Sequence, residues 1–261
     1  MALPVLLLAL AFSPAEAGSL QLNNVRATYG VLGPDRPDNK IMPGDTLIVS
    51  YDIEGIRPGA DGKAHYRIGM EVTDPKGTVH FKQEPKGKAV NIPPGGQGLQ
   101  GVATLHVGLD QPPGEYAVKL TVTDDTQHSS KAVTKTYEVV AKQFGLVRVG
   151  IDGDATTKSV DPFFHTDRPG RVMFSAVGFG HGPSGQPDVR VVMNVQQDGR
   201  PAFDQPTVGV VDKGVPGKAL VVPMEFQLQL TRGGRYHVEL RAEDRVTGQT
   251  AAVTFPITVS K

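Results

Sequence analysis

The side chains best equipped for chemistry in this chain are histidines and aspartates. Seven His are present, at 65, 80, 106, 128, 165, 181 and 237. His165, in Phe163-Phe164-His165-Thr166-Asp167, and His181, in Gly180-His181-Gly182, are predicted in loops flanking one strand, sharing a pole with Asp167. Two imidazoles and a carboxylate can ligate a transition metal. The spacing argues against that use, because the two histidines stand sixteen residues apart (181 − 165), not at i, i+2 or i, i+4, the intervals that keep two ligands on one face. His106 and His237 fall on outward phases of strands whose Leu105/Val107 and Tyr236/Val238 point inward, so both are read as solvated.

Among the acids, Asp152-Gly153-Asp154 and Asp124-Asp125 offer oxygens to a hard cation such as calcium, which takes about six to eight. Only Asp124 recurs, as Asp244, while Asp125 becomes Arg245. A cation site common to both places would need the second acid too. The reading preferred is an Asp that accepts hydrogen bonds from the backbone of the turn after its strand.

Nucleophiles are not set up. Neither Gly-x-Ser-x-Gly nor a phosphate-loop pattern occurs, and no base stands beside Ser175 or Ser184 in sequence. Zero cysteines remove thiolate nucleophiles and thiolate zinc sites. Arg232, Arg235, Arg241 and Arg245 cluster in one corner, yet Glu239 and Glu243 lie among them, as on a mixed, solvated strand face. A non-catalytic chain without cofactor is expected.

The elements that must position these residues come from a duplication. Residues 113–139 and 233–259 are the same segment written twice: Tyr116/Tyr236, Val118/Val238, Leu120/Leu240, Asp124/Asp244 and Val139/Val259 keep a spacing of 120 (236 − 116). Upstream, Tyr66, Ile68, Met70 and Val72 match Val189, Val191, Met193 and Val195 at 123. Leu105, Val107 and Leu109 match Phe226, Leu228 and Leu230 at 121, Val25-Arg26 matches Val147-Arg148 at 122, and Pro43-Gly44 matches Pro169-Gly170 at 126. The slips fall between apolar runs, which marks them as loops. Two domains follow, residues 18–142 and 143–261, joined by the short Ala141-Lys142-Gln143, which predicts a restricted orientation.

Leu3 to Phe12 is apolar, too short to span a membrane, and Ala15-Glu16-Ala17 follows with small residues where signal peptidase reads. Residues 1–17 are expected to be a signal peptide, although no Lys or Arg precedes the run. Export without cysteines suits a bacterial periplasmic, surface or extracellular protein. Charge is balanced: residues 18–142 hold 14 basic and 14 acidic residues, and 143–261 hold 13 and 12. No basic excess points to nucleic acid, no Lys/Arg block to anionic lipid, and no second apolar stretch to an integral membrane segment.

Within each copy apolar residues alternate, as at Leu47, Val49, Tyr51 and Ile53, and no window carries a helical stripe. About seven short strands per copy and 31 Gly with 21 Pro for turns predict an all-β chain of two tandem Greek-key β-sandwiches. Leu230-Thr-Arg-Gly-Gly-Arg-Tyr236 resembles the corner before the sixth strand of fibronectin type III and immunoglobulin-like domains. Leu109-Asp-Gln-Pro-Pro-Gly-Glu-Tyr116 resembles it with one residue more. The following Tyr-x-Val-x-Leu-x-Val/Ala-x-Asp is similar to bacterial immunoglobulin-like and PKD-like modules. The resemblance implies a Tyr hydroxyl bonded back to the chain, and it implies a fold rather than an activity.

The expected function is a binding or structural role at the cell envelope, as a monomer with a protein or glycan partner. The alternatives are a two-domain periplasmic chaperone presenting an edge strand and, further off, a metal-binding protein or enzyme. Partner contact is placed on the loops between second and third strands, 57–63 with Arg57, Asp61 and Lys63, and 181–187 with His181, Ser184 and Gln186. Both are Gly- and Pro-rich, and the copies differ there by three residues (126 − 123).

Overall fold

The computed structural model describes residues 19–92, 98–156 and 161–261. The expected signal peptide, 1–17, lies outside the described residues. Those residues are all-β. They contain no helix, and hence none long and apolar enough to cross a membrane.

In the first copy the strands are β1 Gln21–Thr28, β2 Lys40–Ile41, β3 Thr46–Glu54, β4 Lys63–Thr73, β5 Val79–Asn91, β6 Gly98–His106, β7 Gly114–Asp124 and β8 Ser129–Val139. The second has β9 Gly145–Asp152, β10 Phe164–His165, β11 Gly170–Val177, β12 Val189–Gln197, β13 Arg200–Pro201, β14 Thr207–Val211, β15 Val221–Leu228, β16 Gly234–Asp244 and β17 Gln249–Ser260. The first copy forms sheets ordered β1-β3-β6 and β2-β8-β7-β4-β5. The second forms β9-β11-β15 and β10-β17-β16-β12-β13, with β14 also on β12. The two copies have the same topology, except that the place of β5 is taken in the second by two shorter strands, β13 and β14.

Alternation explains these strands. Leu47, Val49, Tyr51 and Ile53 on β3 and Tyr66, Ile68, Met70 and Val72 on β4 are buried in one apolar cluster, to which β6, β7 and β8 also contribute. A second cluster holds the equivalent residues of the second copy. It also takes Tyr29, which follows β1 of the first copy and whose ring centroid lies 5.5 Å from that of Phe255. β5 departs from the expected short strands: it has 13 residues, nearly all exposed, so no apolar alternation betrays its length.

Pairing register corrects the self-alignment. On β1 the bulge falls between Asn23 and Arg26 opposite Tyr51, with Asn24 at φ 50°; on β9 it falls opposite Phe174, with Arg148 at φ 54°. Asn24 and Arg148 are therefore equivalent at 124 (148 − 24), not 122, and Tyr51 and Phe174 at 123. Leu47 pairs Leu105 and Gly170 pairs Leu228, which places β6 and β15 at 123 as well, not 121. A two-residue error keeps every side chain on its face, so alternation cannot expose it. One residue is thus lost between β1 and β3 (124 − 123), three before β7 and β16 (123 − 120), and none between β3 and β4.

Candidate functional site

Each expected contact loop is tied at its start by the repeated aspartate. Asp124, fully buried at the end of β7, accepts the N–H groups of Thr126 (2.8 Å) and Gln127 (3.0 Å) in its own turn and that of Arg57 (3.1 Å). Gln127 Nε2 donates to the same carboxylate at 2.7 Å and to Gly55 O at 2.8 Å. Asp244 repeats this with the N–H groups of Val246 (3.0 Å) and Gly180 (2.8 Å) and the hydroxyl of Thr247. Burial works to raise the Asp124 pKa, but hydrogen bonds led by Gln127 outweigh it and hold the carboxyl below its ordinary value.

Within the first loop, Gly59 N–H donates to Lys63 O at 2.7 Å, Lys63 N–H to Asp61 at 3.1 Å, and His65 Nε2 lies 2.9 Å from both oxygens of Asp61. That imidazole, followed by the Lys63 N–H, lowers the Asp61 pKa. The Arg57, Asp61 and Lys63 side chains are exposed. In the second loop, Gln186 is occupied structurally: it donates to Val215 O at 3.0 Å and accepts from Val215 N–H at 2.9 Å. The His181 ring is tilted at 52° against Phe179 with centroids 5.3 Å apart and lies 3.2 Å from Ala219 O, while Ser184 is exposed.

The two loops do not share a surface. The second begins after Val177, which packs at Gly44 of the first copy, whereas the first begins at the far end of β3. Nine residues of strand separate that end from the junction, roughly 30 Å at the usual rise.

The metal grouping is corrected. His165 sits where β10 meets the end of β17, and His181 neighbours the Asp244 end of β16, at the opposite pole. Asp167 pairs instead with Arg168. What His165 meets is Asp161 Oδ2, 2.7 Å from Nε2, and Ser260 Oγ, 2.8 Å from Nδ1. Carboxylate, imidazole and hydroxyl in series can pass a proton from serine to histidine, the logic of an activated nucleophile. Sequence reading missed this chain because Ser260 lies 95 residues from His165. Ser260 Oγ is also 3.3 Å from Phe164 O, so the same bonds clamp β10 to β17.

Asp152 and Asp154 belong to arginines. Arg171 contacts Asp152 at 2.8 and 3.1 Å, and Arg168 Nη1 contacts Asp154 at 2.8 Å. Thr156, through hydroxyl and N–H, and then Arg168 lower the Asp154 pKa to about 2. Among the described residues, no three His, Cys, Asp or Glu stand as a cation-holding group. The corner arginines are mixed with acids as expected, Arg241 lying 2.8 Å from Glu239.

Between the copies, a cleft of about 340 Å³ is lined by Arg26, Asp35, Gln100, Phe163, Arg235 and Thr258, among others. In a second cleft, of about 280 Å³, Asp45 of the first copy, 4% exposed, accepts Arg36 Nη1 at 2.6 Å and Arg148 N–H of the second copy at 2.7 Å. Arg148 Nε donates to Gly44 O at 2.9 Å.

No family model matches the chain, and no curated protein matches it. Among solved structures, the Pseudomonas fluorescens alkylpurine DNA glycosylase AlkC, bound to DNA containing an abasic site analog, is similar at TM-score 0.30 and 14% identity. The match covers 47% of this chain and 31% of that one, and likeness at that level establishes no shared fold.

Proposed function

We propose that this is an exported, non-catalytic binding or structural protein of the bacterial cell envelope. In this reading residues 1–17 are a signal peptide, and residues 18–142 and 143–261 are tandem immunoglobulin-like Greek-key β-sandwiches. Supporting the fold is the strand order in each copy: first, second long and fifth long strands form one sheet, the rest the other. The Tyr116 and Tyr236 hydroxyls donate to the carbonyls four residues earlier, Pro112 at 3.0 Å and Arg232 at 2.8 Å, as the resemblance implies.

The observation that carries the function is the buried aspartate repeated in both copies. It holds the start of each loop in one geometry, so a protein or glycan partner would meet loops already formed. Monomeric protein from a secreting host, starting at Gly18, is the material for the test. A partner recovered by co-purification mass spectrometry should lose affinity when loops 57–63 and 181–187 are replaced by Gly-Ser turns. Full affinity in a folded double-loop variant would remove the loops from the proposal.

A second reading is favoured by one observation, the Asp161–His165–Ser260 chain. It makes Ser260 an acyl-transfer nucleophile. Labelling by a fluorophosphonate probe, lost in Ser260→Ala, would support it; absence of labelling leaves the three residues as a strand clamp.

A further inference from the structure

The first copy has a side that its own strands leave open. Its smaller sheet, β1-β3-β6, stops at β6, while the facing sheet runs one strand past β4, to β5. Register fixes which residues of β5 face inward. Phe81, Lys86 and Lys88 pair with Val72, Ile68 and Tyr66, all buried, and so project from the same face. Yet Phe81 is 39% exposed, and Lys86 and Lys88 are exposed too. Neither lysine makes an ion pair among the described residues, unlike Lys82, which is 2.9 Å from Glu84. At the Phe81 end the gap deepens into a cavity of about 60 Å³ lined by Val72, Leu105 and Val107.

The second copy closes the same side. There β14 is drawn in until Gly209 lies on the opposite sheet: a Cβ on it would stand 2.9 Å from Phe226 and 3.2 Å from Met224. Val211 and Val215 pack on that core.

The free edge of β6 is equipped to receive a strand. Val107 N–H donates to Asp45 O at 2.9 Å and Val107 O accepts from Gly44 N–H at 3.2 Å, so odd-numbered residues of this strand bond toward β3. By alternation the N–H and C=O of Val102, Thr104 and His106 point to the open side. Exposed edges are commonly guarded by Lys, Pro or charge. Gly98–His106 carries none of these, whereas β5 has three lysines and Pro85.

We propose that an extended segment of a partner protein adds to β6 as a fourth strand, antiparallel, beneath the overhanging face of β5. Its inward side chains are specified by what they face, an apolar residue for the cavity at Phe81 and acidic residues for Lys86 and Lys88. Charge complementarity thus selects the occupant. The proposal rests on the binding-protein reading but uses a different surface from the loops, so the two can fail separately.

The probe is the amide of Thr-Leu-Thr-Glu-Thr-Glu-Thr-Glu-Thr, whose Leu leads in the antiparallel sense, followed by fluorescence anisotropy on the full mature chain. The same peptide with Lys for Glu is the control. The acidic peptide should bind at least about tenfold tighter than the basic one. Thr104→Pro removes an open-side N–H and no bond to β3, and should weaken binding about tenfold with an unchanged melting temperature. Phe81→Glu should weaken it independently, and Lys86→Glu with Lys88→Glu should reverse the preference. Absence of saturable binding, equal binding of both peptides, or binding unaffected by Thr104→Pro and Phe81→Glu overturns the proposal. A dimer that disappears in Thr104→Pro would assign the edge to a second copy and overturn it as well.

Discussion

Tyr29, a residue of the first copy buried in the core of the second, lies with its ring 5.5 Å from Phe255. The Arg36 guanidinium covers the same ring at 5.7 Å from its centroid. Burial, the leading cause, raises the Tyr29 pKa, with Arg36 opposing. The two cores are therefore not independent. Tyr29→Ala should cost about 3 kcal/mol, the scale of deleting a large buried ring. Urea titration should show the loss in unfolding of the second copy, detected by hydrogen exchange on β9 and β17; loss confined to the first copy would contradict the coupling.

The Asp45–Arg148 contact makes a second prediction. Asp45→Ala leaves the mostly buried Arg36 without its closest carboxylate and the Arg148 amide without an acceptor. The expected cost is about 3 kcal/mol, typical of breaking a buried charged network from one side. Exchange of the Arg148 amide should accelerate well before that of Val172 on β11. Unchanged protection at Arg148 would show that the junction is held by other contacts.

Much of this architecture was legible in sequence, because half-buried strands announce themselves by period 2, as at Tyr66–Val72. The same period concealed the misalignment of β1/β9 and β6/β15 by two residues. The length of β5 was hidden because its side chains meet solvent on both faces. Tyr29 carried no signal at all, since its partner Phe255 belongs to the other copy. Likewise Ser260 is joined to His165, and through it to Asp161, only by the parallel pairing of β10 with β17, which no local pattern encodes. The role of Asp124 and Asp244 was readable, because duplication itself singled them out.

That aspartate gives a pH prediction. The Asp124 pKa lies below its ordinary 3.8, so the unfolded chain takes up the proton first as pH falls. The stabilisation is complete above that value and disappears as pH drops through the lower, folded one. Asp124→Asn should cost about 2 kcal/mol at neutral pH, since the amide turns a donor toward donors. Its urea midpoint should also fall less steeply than wild type as pH drops below the ordinary 3.8. Parallel acid limbs for the two proteins would rule out Asp124 as a contributor.

The last prediction runs the other way, toward greater stability. Tyr51 is 1% exposed and its hydroxyl has no hydrogen-bond partner, while the equivalent residue of the second copy, Phe174, has no hydroxyl to satisfy. Gly101 leaves room for the ring, since a Cβ there would overlap it, so Gly101→Ala should destabilise the first copy. A buried hydroxyl without a partner forfeits its hydration and gains nothing, so Tyr51→Phe should stabilise by about 1 kcal/mol. Burial, then the charge on Tyr66, pushes the Tyr51 pKa well above its ordinary 10.0. The neutral phenol therefore supports the fold fully below pH 10.0, and this support is lost as pH rises from there toward the folded pKa. Tyr51→Phe should flatten that alkaline limb as well as raise the melting temperature near pH 7. A lower melting temperature for Tyr51→Phe would mean that the hydroxyl is bonded after all, and would defeat the argument.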